Sequence, residues 1–302
     1  MDGCVVPTSA SEREALVDFY HATQGDWWRI THNWLVGDPC INHWYGITCN
    51  TRGNIISFHM FENRVDGLLP DSFGNLIYLK HLTIANDGRE HEYIDNPHRN
   101  TIHLWNKNVF DKLSNLEEIN MQHLGMQGAL TGSLSNLFRL RYLNLGYNML
   151  TGPLTDDAQW VYLQQLEYIE LMSNRISGPL PTRWSSLAKL EYVDMGYNNF
   201  TGPMLIYEAA QDLKGVDYSD NQFEGDYPIK YFQKDIFTKL EYVNANFNLK
   251  VVVPEFCIRY ALCFKKTLNE AKFGNFYTYV AKGLESTLYN ISNDYNSSEI
   301  DY

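Results

Sequence analysis

Apolar residues recur in a fixed pattern through about two-thirds of the chain, between residues 55 and 254. About eight copies follow the template L-x-x-L-x-L-x-x-N-x-L-x-G-x-L-P, with other apolar residues allowed at the Leu positions. Inside each copy the x-L-x-L-x stretch alternates apolar and polar positions, which predicts a short strand with one buried face. Because such a strand is unstable alone, the copies must stack in parallel around one continuous core, as in a solenoid. The clearest copies cover residues 140–154, 166–180 and 190–204.

The asparagine near the end of each copy sets the register and is taken as position zero. It recurs about every 24 residues, which is the period of leucine-rich repeats. Its amide can hydrogen-bond backbone groups in the turn after each strand, so a structural role is favoured over ligand binding. In the second and third copies Asp87 and Leu124 stand at position zero, 37 residues apart, which predicts an insertion at about residues 88–105. The asparagines at position zero are Asn63, Asn148, Asn174, Asn198, Asn221 and Asn248.

A second repeated element narrows the class of solenoid. The turns at 151–153, 177–179 and 201–203 read Thr-Gly-Pro or Ser-Gly-Pro, at the same distance after position zero. This pattern resembles the plant-type leucine-rich repeats of receptor-kinase ectodomains and polygalacturonase-inhibiting proteins. The resemblance implies an α/β solenoid, in which a right-handed superhelix of about eight repeats has a parallel sheet on its concave side. It also implies extracellular recognition of a protein or peptide, such as binding a secreted hydrolase.

The N-terminal segment, residues 1–54, is expected to cap the solenoid, since a solenoid must have its ends covered. Ser11 and Glu14 have the spacing of a capping box, which predicts the start of a helix with an apolar face. The run from Cys40 to Cys49 contains a Trp-Tyr-Gly triplet and resembles the N-terminal cap of the same family.

The C-terminal end has its own cysteine pair, Cys257 and Cys263, just past the last repeat. A stapled C-terminal cap with a helix is expected over residues 254–289, followed by a disordered tail at 290–302. Cys4 has no local partner in the sequence. Cysteine pairs at both ends of the solenoid fit a compartment that permits disulfides, because disulfides are rare in the cytosol.

Three N-glycosylation acceptor triplets agree with secretion, although such triplets also arise by chance. No signal peptide is visible, so an extracellular or cell-surface chain and a cytosolic chain with free cysteines both stay open. No stretch approaches the apolar length of a membrane span. The net charge of −12 argues against nucleic acid as a partner, because phosphate binding requires a cationic surface. The acceptor residues are Asn199, Asn290 and Asn296.

Residues between the inward apolar positions point out of the expected sheet, and two of these columns are distinctive. Four residues before position zero, three successive copies carry carboxylates, which strands about 4.8 Å apart would bring close together. Six residues before position zero, four copies carry tyrosine. With two residues just before position zero, these columns give the expected ligand-binding residues of the concave face. They are Tyr142, Tyr168, Glu170, Tyr192, Asp194, Tyr197, Asp217, Asp220 and Tyr242.

The acidic and aromatic columns have two interpretations. They can form a recognition surface for a basic protein or peptide, because carboxylates pair with Lys or Arg and tyrosine faces add cation–π contacts. They can also be a solvated sheet face, because tyrosine after glutamate can serve cross-strand packing alone. No metal site is expected, because parallel in-register carboxylates lack the loop oxygens that calcium recruits.

The sequence contains no catalytic motif such as G-x-S-x-G, H-E-x-x-H or a phosphate-binding loop. The chain is therefore expected to be a binding protein without cofactors rather than an enzyme. A module that binds a protein or peptide is the first hypothesis. A carbohydrate or cell-wall binder, favoured by the aromatic columns, and a structural adhesive surface protein are the alternatives.

Overall fold

The computed structural model describes residues 6–86, 99–130, 134–154, 160–226, 228, 231, 237–245, 248 and 250–252 of the 302-residue chain. Several features expected from the sequence lie outside these described residues. They are Cys4, the C-terminal cap at 254–289 with Cys257 and Cys263, and the tail at 290–302 with Asn290 and Asn296.

A nine-stranded sheet, which we call the main sheet, runs through the described part of the chain. Its first two strands pair antiparallel and all later neighbours pair parallel. From the second strand onward each repeat contributes one strand, so the apolar positions stack into continuous inward columns. The leucine-rich repeat solenoid with a parallel sheet is thus confirmed. In spatial order the strands are Ile47–Cys49, Ile55–Phe61, His81–Ala85, Glu118–Asn120, Tyr142–Asn144, Tyr168–Glu170, Tyr192–Asp194, Gly215–Asp217 and Tyr242–Asn244.

A second sheet of six short parallel strands follows the position-zero residues of the repeats. It contains the repeated glycine turns, and Gly152, Gly178 and Gly202 have φ between +75° and +80°. A side chain is strained in this left-handed region, which explains why the sequence repeats glycine there. The six strands are Gln127–Gly128, Met149–Pro153, Arg175–Gly178, Asn199–Gly202, Gln222–Asp226 and Lys250–Val252, and a separate pair joins Asp66–Gly67 to Thr101–Ile102.

The helix near the N-terminus is Ala10–Ala22, and it begins two residues earlier than the capping box at Ser11 and Glu14 predicts. Ser9 is the N-cap, since its hydroxyl accepts a hydrogen bond from the backbone N–H of Glu12 and donates one to the Glu12 carboxylate. Both serine–glutamate pairs have the same spacing, so the pattern alone could not choose between them. The other described helical segments are Gly25–Trp27, Asp71–Asn75, Lys107–Phe110, Leu134–Asn136 and Thr182–Ser186.

Two links fasten this N-terminal segment to the first repeat and to itself. The buried Glu12 carboxylate accepts a hydrogen bond of 3.0 Å from the backbone N–H of Ile55, and this contact selects the earlier capping box. The disulfide expected between Cys40 and Cys49 is present. The cap boundary at residue 54 stays a prediction. Three tryptophans of the segment are buried and pack side by side, Trp28, Trp34 and Trp44, whereas Trp27 is exposed.

The core of the solenoid consists of the apolar positions three, five and eight residues before position zero. In the fifth repeat these are Leu171, Ile169 and Leu166, and all three side chains are fully buried. Each fully buried aliphatic side chain contributes about 1.5–3 kcal/mol relative to an exposed one. The repeated burial of these positions is what holds the short strands in register.

The position-zero asparagines join neighbouring repeats, as their spacing predicts. The Asn174 amide donates to the carbonyls of Leu145 in the preceding repeat and Leu171 in its own, each at 3.0 Å. Its side-chain oxygen accepts from the backbone N–H of Leu150 at 3.0 Å. One side chain thus satisfies three buried backbone groups that no strand partner reaches.

The second repeat differs from the sequence-based register, because Asn100 rather than Asp87 occupies position zero. The Asn100 side-chain oxygen accepts from the backbone N–H groups of Asn63 and Val65 at 2.9 and 3.0 Å. Its amide donates to the carbonyl of Met60 at 2.8 Å. These are the contacts that asparagine makes at position zero in the other repeats, so the assignment to Asp87 was wrong.

The expected insertion at about 88–105 therefore ends before Asn100, and residues 87–98 lie outside the described part of the chain. Residues 101 and 102 already form a strand of the repeat. Trp105 is buried and stacks on Phe110 with ring centres 3.8 Å apart, so it belongs to the core of the repeat.

The third repeat has Leu124 at position zero, and the neighbouring Asn86 makes up for the missing amide. Asn86 donates to the carbonyls of Asn100 and His123 at 2.8 and 2.6 Å. Its side-chain oxygen accepts from the backbone N–H of Asn100 at 2.6 Å. An asparagine one position earlier, in the preceding repeat, thus supplies contacts that a leucine cannot make.

Candidate functional site

The outward face of the main sheet brings the three expected carboxylates together. Glu170 pairs in register with Asp194, and Asp194 pairs in register with Asp217 on the next strand. We call these three residues the carboxylate ladder. Asn144 precedes it and Asn244 follows it at the same register position, so amides flank the acids on both sides.

Two of the three carboxylates have their oxygens bonded to neighbouring side chains. Asp217 is 1% exposed, and its oxygens accept from the Ser219 N–H at 2.7 Å, the Ser219 hydroxyl at 2.6 Å and the Asn244 amide at 2.7 Å. Glu170 accepts from the Asn144 amide at 2.6 Å and from the Tyr142 hydroxyl at 3.3 Å. The ends of the carboxylate ladder are therefore held in place by the sheet itself.

Asp194, in the middle of the carboxylate ladder, has fewer partners. One oxygen accepts from the backbone N–H of Gly196 at 3.0 Å, and the other has no hydrogen-bond donor among the described residues. Asp220 lies nearby in sequence with φ of +54°, and its Oδ2 atom is buried without a donor in the described part of the chain. Three carboxylate oxygens of this region thus have no donor within the described chain, since both bonds to Glu170 end on its Oε2 atom.

Burial changes the charge of the carboxylate ladder near neutral pH. Loss of water contact raises the pKa of Glu170 to about 7 and the pKa of Asp217 to about 6. Burial also raises the pKa of Asp194 well above its ordinary value, and the charges of Asp217 and Glu170 raise it further. The expected acidic column therefore retains part of its protons at pH 7.

The tyrosine column is continuous along three strands, and its ring faces are largely turned toward each other. The rings of Tyr142 and Tyr168 lie 5.8 Å apart, and those of Tyr168 and Tyr192 stack at 5.3 Å with a 20° angle. The Lys214 ammonium lies 5.6 Å from the Tyr192 ring centre. We call the three residues the tyrosine ladder. The hydroxyl groups of Tyr142 and Tyr168 donate to Glu170 and Glu191, so the tyrosine ladder is bonded to neighbouring acids as well as packed on itself.

Tyr242, the fourth member of the column, lies beyond a glycine. A Cβ atom at Gly215 would lie 2.3 Å from the Tyr242 ring, so the ring occupies the space above this glycine. The absence of a side chain at Gly215 therefore allows Tyr242 to lean over its neighbouring strand.

The column seven residues before position zero is charged but internally paired. Lys80 with Glu117, Arg141 with Glu167, and Lys214 with Glu191 approach to 2.7, 2.9 and 2.5 Å. Such half-exposed pairs contribute little to stability, but they cancel each other's charge. The acidic character of the face therefore comes from the carboxylate ladder and its surroundings rather than from this column.

The residue just before position zero has a left-handed backbone in several repeats. The residue types at this position did not predict that conformation. Tyr147 and Tyr197 have φ of +55° and +54° and are 36% and 42% exposed. Tyr147 stacks on His123 with ring centres 4.1 Å apart. These tyrosines stand at the edge of the main sheet, next to the carboxylate ladder.

No family model matches the sequence. A probable leucine-rich repeat receptor-like protein kinase of Arabidopsis thaliana is 30% identical over 64 residues, which cover 21% of this chain and 7% of the kinase. The solved structure of a plant ice-binding protein has a TM-score of 0.68 at 21% identity, covering 82% of this chain and 73% of that one.

A receptor ectodomain gives a similar match. The Arabidopsis receptor kinase HAESA, solved in complex with the peptide hormone IDA and a co-receptor, has a TM-score of 0.55 at 17% identity. The match covers 81% of this chain and 42% of the HAESA chain. The chain is a leucine-rich repeat solenoid. At these identities the likeness establishes the fold, which plant receptor kinases share.

The glycosylation acceptor Asn199 of this leucine-rich repeat chain is the one acceptor within the described residues. It opens the strand Asn199–Gly202 with an exposed side chain, while the next residue, Phe200, is fully buried. The acceptor is therefore accessible on the folded chain, and glycosylation at this position stays a prediction.

Two further properties of the described residues bear on the type of ligand. No group of three or more His, Cys, Asp or Glu side chains there is arranged to hold a metal ion. None of the helices in that part has the length and apolar character that crossing a bilayer requires.

Proposed function

We propose that this leucine-rich repeat protein is an extracellular recognition module that binds a protein or peptide, without catalysis, on the outward face of its main sheet. The observation that carries the proposal is the carboxylate ladder next to the tyrosine ladder on consecutive strands. The residues proposed to contact the ligand are Tyr142, Tyr168, Glu170, Tyr192, Asp194, Tyr197, Asp217, Asp220 and Tyr242.

The dimensions of the face fit an extended peptide. The five strands from Tyr142–Asn144 to Tyr242–Asn244 span about 20 Å at about 4.8 Å per strand. An extended chain covers that distance with about six residues. No strand or helix of the described chain packs over this face.

Charge supports a basic ligand. The whole chain carries −12, and no described Lys or Arg forms an ion pair with Glu170, Asp194 or Asp217. A ligand with Lys or Arg would pair with these carboxylates, and electrostatic attraction would guide it toward the face at low salt.

The comparisons support a peptide ligand. The HAESA structure contains a peptide hormone and a co-receptor, and its fold matches most of this chain. The disulfide between Cys40 and Cys49 and the exposed acceptor Asn199 favour an extracellular or cell-surface location. By analogy with HAESA, we propose that the protein is receptor-like.

A carbohydrate or cell-wall ligand is the second candidate, because the face carries several tyrosines. A flat sugar ring stacks on an exposed aromatic face, whereas the rings of the tyrosine ladder pack against one another. Tyr147 and Tyr197, at the edge of the sheet, are the exposed rings that favour this alternative. A structural adhesive role would require neither set of rings.

A peptide selection tests the proposal. A randomised library of about 12 residues displayed on phage is selected against the full 302-residue chain. Selected peptides should be rich in Lys and Arg, and the combined variant Glu170→Gln and Asp194→Asn should weaken their binding about tenfold or more. The control Glu224→Gln removes an exposed carboxylate from the second sheet and should change binding less than about twofold.

Equal binding to the wild type and the double variant would contradict a ligand site on this face. Binding of neutral oligosaccharides on a glycan array, insensitive to salt and to both variants, would favour the carbohydrate alternative.

A further inference from the structure

The glycine turns of the second sheet pack against an exposed residue of the preceding repeat. A Cβ atom at Gly178 would lie 3.1 Å from the Cβ atom of Pro153. One at Gly202 would lie 3.6 Å from the Cβ atom of Pro179. Pro153, Pro179 and Pro203 occupy the same position in three successive repeats, and all three are exposed. We call these three residues the proline stripe.

The turn itself does not require proline at this position. In the third repeat Ala129 stands there, and a Cβ atom at Gly152 would lie 3.3 Å from its Cβ atom. Alanine therefore makes the same contact with the next repeat as the prolines do. The prolines of the later repeats add ring surface on the outside of the turn, and exposed apolar surface that continues over several repeats is typical of a contact area.

An N-glycosylation acceptor lies beside the proline stripe. Ser177 pairs with Asn199 in the second sheet. Two residues further along both strands, Pro179 therefore lies beside Thr201, which completes the acceptor triplet that begins with Asn199. Because a strand rises about 3.3 Å per residue, Asn199 lies about 7 Å from Thr201 and from the start of the stripe.

The Asn199 side chain points away from the core, so a glycan on it can reach the stripe. Asn199 is exposed and the next residue, Phe200, is fully buried, as the alternation of a strand requires. The C–H faces of sugar rings are apolar. Contact between these faces and proline rings removes apolar surface from water and is therefore favourable.

We propose that Asn199 carries an N-linked glycan whose first sugars lie on the proline stripe, against Pro179 and Pro203. This inference rests on the extracellular location within the proposed function and not on the ligand. The glycan contacts prolines of two successive repeats and so holds those repeats together. It covers apolar surface of the second sheet, while the main sheet stays accessible to the peptide.

The first measurement compares stability with and without the glycan. The full chain is produced behind a secretion signal in a eukaryotic host, and mass spectrometry of its peptides gives the occupancy of Asn199. The glycosylated chain should melt about 3 °C above the variant Asn199→Gln. As controls, Asn290→Gln and Asn296→Gln remove the other two acceptor triplets and should shift the Tm by less than about 1 °C.

A double-mutant cycle separates contact with the stripe from a general effect of glycosylation. The combined variant Pro179→Ser and Pro203→Ser removes the proline rings, and the glycan should then raise the Tm by less than about 1 °C. Nuclear Overhauser effects between sugar C–H protons and the Pro179 ring protons should be observed on the unaltered chain. The test therefore does not depend on the folding of the proline variant.

A displaced acceptor provides a matched variant. Arg175→Asn creates an acceptor triplet that ends at Ser177, at the equivalent position of the preceding repeat. A glycan there lies beside Pro153 and Pro179. In the Asn199→Gln background, chains that carry this displaced glycan should recover about 3 °C in Tm.

An unmodified Asn199 on the secreted chain, a gain in Tm that persists in the proline variant, or the absence of Overhauser effects to Pro179 would each overturn the inference. The peptide selection is decided separately. A chain with this glycan contact that binds no selected peptide contradicts the proposed function alone, and peptide binding without the glycan contact contradicts this inference alone.

Discussion

Repeats four to seven and repeats two and three join neighbouring repeats through asparagines at different positions. In the regular repeats one asparagine, such as Asn174, joins two neighbouring repeats through its amide. In the irregular repeats Leu124 replaces the asparagine, and Asn86 of the preceding repeat instead bonds the backbone of Asn100 and His123. The solenoid therefore requires satisfied backbone groups, not asparagine at one fixed position.

The largest effect is expected from breaking the regular arrangement. Asn174→Ala removes the acceptor of the buried Leu150 N–H and one of the two asparagine donors to each of the Leu145 and Leu171 carbonyls, and it should lower the free energy of unfolding by about 2 kcal/mol. Urea denaturation followed by circular dichroism measures this change. An exposed neighbour, Arg175→Ala, serves as the control and should change stability by less than about 0.5 kcal/mol. A loss of under about 1 kcal/mol for Asn174→Ala would mean that the turn relaxes without its amide.

The irregular repeats allow a stricter test of the comparison. Asn86→Ala should cost about 2 kcal/mol, because it removes three buried hydrogen bonds at the base of the insertion. Leu124→Asn should destabilise the wild type but recover about 1 kcal/mol in the Asn86→Ala background, since the regular arrangement then becomes possible. Additive effects in this double-mutant cycle would contradict the exchange of roles between the two positions.

The outward face of the regular repeats should respond to pH in a direction that is unusual for acids. The folded-state pKa of Glu170 is raised from 4.5 to about 7, so the folded chain holds more protons than the unfolded chain between these values. Stability should therefore fall by about 2 kcal/mol as the pH rises through this window.

Glu170→Gln removes one titrating group and should reduce the slope between pH 5 and pH 7, while the raised pKa values of Asp217 and Asp194 retain part of it. Unfolding midpoints in urea, measured at intervals of about half a pH unit, give the profile. The control Glu224→Gln, on the second sheet, should leave the slope in place. A wild-type profile that rises across the same window would contradict the burial of Glu170.

The smallest effect concerns a turn that both kinds of repeat share. Gly128 in the irregular third repeat and Gly178 in the regular fifth repeat have φ of +85° and +80°. Alanine at either position should cost about 1 kcal/mol from backbone strain, with a further cost at Gly178, where a Cβ would lie 3.1 Å from Pro153. Thermal melting compares the two variants, and a neutral Gly128→Ala would mean that the turn of the third repeat differs from the others.

The sequence predicts the fold well wherever a residue's role depends on its own repeat. Leu166, Ile169 and Leu171 alternate in the sequence and are buried in the structure, because strand periodicity alone decides their direction. Asn100 was missed because the register was counted from the strand, across the insertion. Counting back 24 residues from Leu124 leads to Asn100, so the signal was present in the spacing.

The candidate site was less predictable, because its properties arise between repeats. The spacing placed Glu170, Asp194 and Asp217 in one column, but it could not indicate that Asn244 and Ser219 enclose Asp217. Mutual stacking of the tyrosine rings likewise depends on side-chain rotation across strands. The choice of Ser9 over Ser11 as the N-cap depended on a contact with a distant strand.

The two ends of the insertion meet at Asn86 and Asn100, where the Asn86 side chain donates to the Asn100 carbonyl and accepts from the Asn100 backbone N–H. Because Asn86 and Asn100 are bonded to each other, the distance from one repeat to the next does not depend on the residues between them. The length and composition of the insertion can therefore change freely without altering how the later strands line up. For protein engineering, we expect this junction to accept a foreign loop without a change in the pitch of the solenoid.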